Sequence, residues 1–185
     1  MLDLELQDAF NSVLSPNERL IWAGKPKTGI VFRNTDIFFI PFSLLWAGFA
    51  FFWESIVITS GAPFFFMIWG IPFVLAGIYI TIGRFFIDKR KRANTVYGIT
   101  QDRIIIQSGI FSRDIKSLNI KTLSDITIHQ RSDNSGTITL GPTNPATYMP
   151  GMSWPGVKQT PSLELIEDVK NVYDKIIALQ QQANH

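Results

Sequence analysis

Residues Phe85–Ile106 read FFIDKRKRANTVYGITQDRIII. Four consecutive bases, Lys89, Arg90, Lys91 and Arg92, divide two kinds of sequence. Before them lies a long apolar run. After them apolar residues alternate with polar ones, the period of a half-buried strand. The formal net charge of the 185-residue chain is only +2, so the placing of charge carries more information than its total.

Toward the N-terminus, Ile37–Trp53 reads IFFIPFSLLWAGFAFFW, without a charge. Glu54 follows, and SIVITSGAPFFFMIWGIPFVLAGIYITIG then runs to Gly83 without another. About 20 helical residues cross a hydrocarbon core of about 30 Å. Neither segment has the polar face of a soluble amphipathic helix, and in lipid the backbone must bond to itself. Two transmembrane helices are expected, at about 37–58 and 62–83, reversing near Ser60-Gly61-Ala62-Pro63. A carboxylate deep in lipid is costly, which places Glu54 near the far headgroups. Neither span offers a second ionisable group for a proton relay.

Arg19, Lys25, Lys27 and Arg33 precede the first span, and Arg84 with Lys89–Arg92 follows the second. The intervening loop has no lysine or arginine, so both termini are expected in the cytoplasm of a multi-pass inner-membrane protein. Arg84, Lys89, Arg90, Lys91 and Arg92 form a basic cluster at the membrane surface, within reach of anionic headgroups. The run is short and juxtamembrane, and no aromatic-rich basic face follows it, so nucleic acid is not expected. MLDLELQDAF lacks a basic n-region, and no cleavable signal is expected.

Residues 1–36 read as a cytoplasmic arm. Leu6, Ala9, Phe10, Val13 and Leu14 recur at helical spacing over residues 3–14. Leu20-Ile21-Trp22 is a strand-like patch closed by Gly24 and Pro26. The arm either packs on the folded domain or lies on the membrane.

Downstream, short strands are expected at Thr95–Thr100, Arg103–Gln107, Arg113–Leu118 and Leu123–Gln130, then in TITLG after the RSDNSG turn. Such a meander suggests a small antiparallel sheet or open barrel. Thr160-Pro161 has the chemistry of a helix start, with Glu164, Glu167 and Asp168 in the first turns. Leu163, Ile166, Val169, Tyr173, Ile176 and Ile177 would form its apolar stripe. Residues 141–159, GPTNPATYMPGMSWPGVKQ, are too rich in proline for a central strand. Tyr148, Met149, Met152 and Trp154 within them either pack on the domain or form a partner contact.

The order of these features resembles the bacterial PH-domain (pleckstrin-homology-like) two-span membrane proteins. Glu18, Trp22, Gly24 and Pro26 match the family's opening; Tyr97, Ile99, Thr100 and Arg103 match its hairpin; Ile166 and Val172-Tyr173 resemble its closing helix. The resemblance covers nearly the whole chain. It implies an α+β fold with membrane helices: a two-helix transmembrane hairpin (37–84) and a PH-like antiparallel split β-barrel capped by a C-terminal α-helix (93–182). It does not imply phosphoinositide binding. Arg103, Arg113, Lys116, Lys121 and Arg131 are interleaved with Asp102, Asp114, Asp125 and Asp133.

No catalytic, cofactor or metal site is expected. The chain has no cysteine. His129 sits in a strand pattern and Ser124-Asp125 is too near in sequence to complete a triad with it. There is no Walker loop, dinucleotide fingerprint or metal-ligand spacing. The sequence points to a non-enzymatic, membrane-anchored interaction module that binds a protein partner or self-associates. The alternatives are an anionic-lipid-contacting module of the inner leaflet and a structural subunit of a larger membrane assembly.

Overall fold

A computed structural model describes residues 4–32, 36–110, 112–142 and 160–183. The chain divides into two compact units, one formed by residues up to Thr28 together with those from Arg90 on, the other by Gly29–Lys89.

The second unit is a helical hairpin. Helix α2 spans Asp36–Thr59. Helix α3 spans Phe64–Ile78, passes through a π-helical turn at Tyr79–Gly83 and continues as α4, Arg84–Ala93. At 1.5 Å per residue the 24 residues of α2 extend about 36 Å, and the 30 residues from Phe64 to Ala93 about 45 Å. Both are long and apolar enough to cross a membrane, and their most apolar stretches are largely exposed rather than wrapped by protein. The second helix does not end at Gly83 as the apolar run suggests. It carries Lys89–Arg92 in helical form.

The two helices meet along a seam with a repeat of seven. Asp36, Ser43, Ala50 and Val57 are the buried residues of α2, and Gly70 and Gly77 those of α3. Small side chains let two backbones approach where water gives no hydrophobic drive. A methyl added at Gly77 would lie 3.0 Å from the Ala47 Cα. One added at Gly70 would collide with the Glu54 carboxyl, so Glu54 rests its tip on α3 rather than pointing into open solvent. Near the other end Arg84 pairs with Asp36 at 2.9 Å and lies over the Phe39 and Phe85 rings.

The first unit holds two antiparallel sheets. The four-stranded sheet has the order β1 (Leu20–Gly24), β2 (Val96–Thr100), β3 (Arg103–Ser108), β4 (Asp114–Asn119). The three-stranded sheet has β5 (Ile126–Gln130), β6 (Gly136–Leu140), β7 (Ser162–Ile166). Helix α5, Val169–Ala183, packs on β5 and β6. Tyr97, Ile99, Ile104, Ile106 and Ile120 form one core with Ile138, Leu140, Leu163, Ile166, Val169, Val172 and Ile176. Among the described residues the sheets do not close into a barrel, in keeping with the split architecture expected.

Two boundaries differ from the sequence reading. Of the two placements left open for the arm, packing on the folded domain is the one observed: its strand β1 pairs with β2, Trp22 opposite Ile99 and Gly24 opposite Tyr97. The apolar hairpin is therefore an insertion between two neighbouring strands of one sheet, and the PH-like unit begins well before residue 93. Helix α1, Leu4–Asn11, covers the outer face of this sheet. Phe10 is fully buried, and its ring lies where a Gly98 side chain would be. The last helix starts at Val169, not at Pro161. Leu163, Leu165 and Ile166 are all buried, and Leu163 pairs with Ile138 in the sheet. A short apolar run fits either period, and here the pairing with β6 prevails over the helix-start chemistry of Thr160-Pro161. Glu167 and Asp168 consequently sit in the turn ahead of the helix.

Candidate interaction site

Of the family-matching residues, Glu18, Thr100 and Arg103 meet at one anchor within the PH-like unit, and Tyr97 contributes to a second. At the first, the Glu18 carboxylate accepts from Arg103 Nε at 2.7 Å and Nη2 at 2.6 Å, from the Thr100 hydroxyl at 2.7 Å and from the Ser15 amide at 3.0 Å. The two-point guanidinium contact is the strong geometry for this pair. Arg103 leads these donors in holding the Glu18 carboxyl down at about 2. Arg103 also donates to the Val13 carbonyl at 3.0 Å, and Gln107 to the Ala9 carbonyl at 3.1 Å. Together they fasten the segment carrying α1 to β2 and β3.

The second anchor is a bulge in β7. Gly136 pairs with Ile166 but Ile138 pairs with Leu163, so Glu164 and Leu165 together oppose Thr137. Leu165 takes φ +51, a left-handed conformation that a leucine rarely adopts. Three partners hold it there. The Glu164 amide donates to the buried Tyr97 hydroxyl at 3.0 Å, the Leu165 amide to Thr137 Oγ1 at 3.3 Å, and the Lys27 amide to the Leu165 carbonyl at 2.8 Å. Burial pushes the Tyr97 phenol up. Lys27 Nζ also reaches Asp133 at 2.8 Å, which with Ser135 holds that carboxyl well below the usual range. Lys27 lies shortly before the inserted hairpin and Tyr97 shortly after it, and both bind the same two-residue bulge.

Neither anchor forms a recess with a nucleophile and a base. His129 is exposed on β5, opposite Thr137, and the Asp125 main-chain carbonyl accepts from the Gly141 amide in a turn. No group of three or more metal-ligating side chains occurs among the described residues. These charges join strands distant in sequence.

Of the basic cluster, Lys89, Arg90 and Lys91 are exposed, Arg84 is engaged with Asp36 and Arg92 is buried. Tyr148, Met149, Met152 and Trp154 lie outside the described residues. What the sequence reading missed is the set of sheet edges. Strand β1 carries a bulge between Leu20 and Trp22, and the Lys27 amide beyond it is tied to β7. Strand β4 pairs with β3 through six successive residues without a bulge, and its other edge has no strand beside it among the described residues.

A family model described as bacterial PH domain matches residues 37–176. No curated protein and no solved structure matches the chain.

Proposed function

The chain belongs to the bacterial PH-domain family, and from that premise we propose that it is a non-enzymatic interaction module anchored in the inner membrane, both termini cytoplasmic, which binds a protein partner or further copies of itself. PH-like domains are in general binding modules rather than catalysts. The observation that carries the reading is the insertion of the apolar hairpin between β1 and β2. A tether at one terminus could be clipped off and leave the domain whole. Here both ends of the hairpin run into neighbouring strands of one sheet, so no cut near a terminus removes the anchor and leaves the sheet whole. The Glu18–Arg103 and Lys27–Asp133 pairs tie segments of the module together, and on this reading function lies on its surfaces. The loop residues Tyr148, Met149, Met152 and Trp154 are proposed as one contact surface, on the strength of their chemistry in the sequence. The test is the mass of the detergent-solubilised particle with its components identified. A stoichiometric partner or several copies of the chain is expected; a lone monomer at every concentration would contradict the proposal.

One observation favours a second reading. Lys89, Arg90 and Lys91 are exposed on the helix that continues the second apolar segment, at about 1 kcal/mol of attraction per base near anionic lipid. Changing all three to Gln should abolish any preference of the reconstituted chain for vesicles containing anionic lipid. An unchanged preference would remove the lipid role.

A further inference from the structure

We propose that strand β4 is a self-complementary edge through which two copies of this chain join their four-stranded sheets. The inference deepens the proposed function, on which it rests, by naming the partner and the surface.

Unpaired strand edges invite pairing, and proteins blunt them with bulges, prolines, covering elements or charge. Strand β1 has its bulge and its tie to β7. Strand β4 has neither bulge nor proline, and every residue from Asp114 to Ser117 is exposed. Ile115 is 47% exposed, and with Ile21 of β1 it is one of two exposed large apolar side chains among the described residues of the PH-like unit. It stands opposite Gln107 on the face covered by α1, whereas Asp114 and Lys116 point to the other face, as Leu118 does.

The charges on this edge are arranged for one register. A two-fold axis through Ile115 sets two β4 strands antiparallel. Asp114 then faces Lys116 of the partner subunit, and Lys116 faces Asp114 of the partner subunit. Ile115 meets Ile115 of the partner subunit on the opposite face, and Arg113 faces Ser117 of the partner subunit. No like charges are opposed. Centring the axis one residue earlier sets Asp114 against itself, and one residue later sets Lys116 against itself. Opposite charges directly across an antiparallel pair are favourable and like charges unfavourable, so the same two side chains that deter indiscriminate pairing select this register. An interface of this kind is isologous and closes at two copies. Its few contacts suffice because confinement in one membrane raises the effective concentration of the partner.

The chain has no cysteine, so a single one reports the axis. Ile115→Cys in the full chain, in native membranes under mild oxidant, should give a disulfide dimer. Directly opposed residues of an antiparallel pair lie roughly 4.5–5.5 Å apart at Cα, within disulfide reach. Ile21→Cys and Thr127→Cys, on β1 and β5, should not. On the Ile115→Cys background, Lys116→Glu should lower the dimer yield about tenfold, and adding Asp114→Lys should restore it by re-forming the pairs with their signs exchanged. Unchanged melting of each variant excludes misfolding as the cause. Equal cross-linking at all three positions, or a yield indifferent to the charge exchange, would overturn the proposal. An oligomer by mass without cross-linking at Ile115→Cys would overturn this edge but leave the proposed function standing, whereas a monomer by mass would remove self-association as well.

Discussion

Replacing Glu18 by Gln removes one charge from the first anchor while keeping its shape. The carboxyl is held at about 2 against an ordinary 4.5. At 1.36 kcal/mol per pH unit that difference corresponds to about 3 kcal/mol of folding stability at neutral pH. Glu18 is nearly buried, but the Arg103 side chain is 26% exposed, and solvent screening of that partner reduces the expectation to about 2 kcal/mol. The variant should therefore melt roughly 4–8 °C below the wild type at pH 7, followed by the β-sheet circular dichroism of the detergent-solubilised chain. The sign of the pH dependence follows from the depressed value. The contribution is complete above 4.5 and is lost as the pH falls toward 2. The gap between wild type and Glu18→Gln should close across that window. A gap below about 0.5 kcal/mol at pH 7, or one that persists undiminished at pH 2, would refute the role given to this pair.

Other expectations follow from the same geometry. A fragment of residues 93–185 lacks β1 and α1, exposing the β2 edge and the outer face beneath Phe10; it should aggregate or melt without cooperativity. Residues 1–28 joined to 90–185 by a flexible linker of about a dozen residues, with a root-mean-square span of about 20 Å, should give a soluble unit with a cooperative melt. Tyr97→Phe strands the Glu164 amide beside the strained Leu165 and should cost about 1–3 kcal/mol in denaturant titration. Gly77→Leu should destabilise the hairpin and lower the yield of folded chain from membranes, whereas Gly48→Leu, whose Cβ would meet nothing within 4 Å, should be tolerated.

The hairpin was legible because an uncharged run of that length has few alternatives, and the meander because β-branched residues alternate between turns of suitable chemistry. The membership of β1 was not. Leu20-Ile21-Trp22 reads as a strand, but its partner lies beyond the whole hairpin, and local periodicity says nothing about pairing at that range. Glu18 and Arg103 were visible as a family pattern, yet they stand 85 residues apart and only the fold makes them a pair. The seven-residue spacing of Ser43, Ala50 and Val57, with Gly70 and Gly77, lacks the short glycine motif usually sought, so the seam emerges only when the two helices are laid together. The start of α5 was misplaced because Leu163–Ile166 satisfies a helical stripe and a strand equally well. The self-complementarity of Asp114-Ile115-Lys116 is printed in the sequence, but it acquires meaning only once β4 is known to be an edge.

The proposed anchoring requires the apolar hairpin to cross the membrane with the PH-like unit on the cytoplasmic side. Single cysteines at exposed Ser60 and exposed Lys170 test it in an otherwise cysteine-free chain. In spheroplasts an impermeant maleimide should label Ser60→Cys at once and Lys170→Cys only after the membrane is opened. Immediate labelling of Lys170→Cys, or recovery of the chain in solution without detergent, would contradict this anchoring.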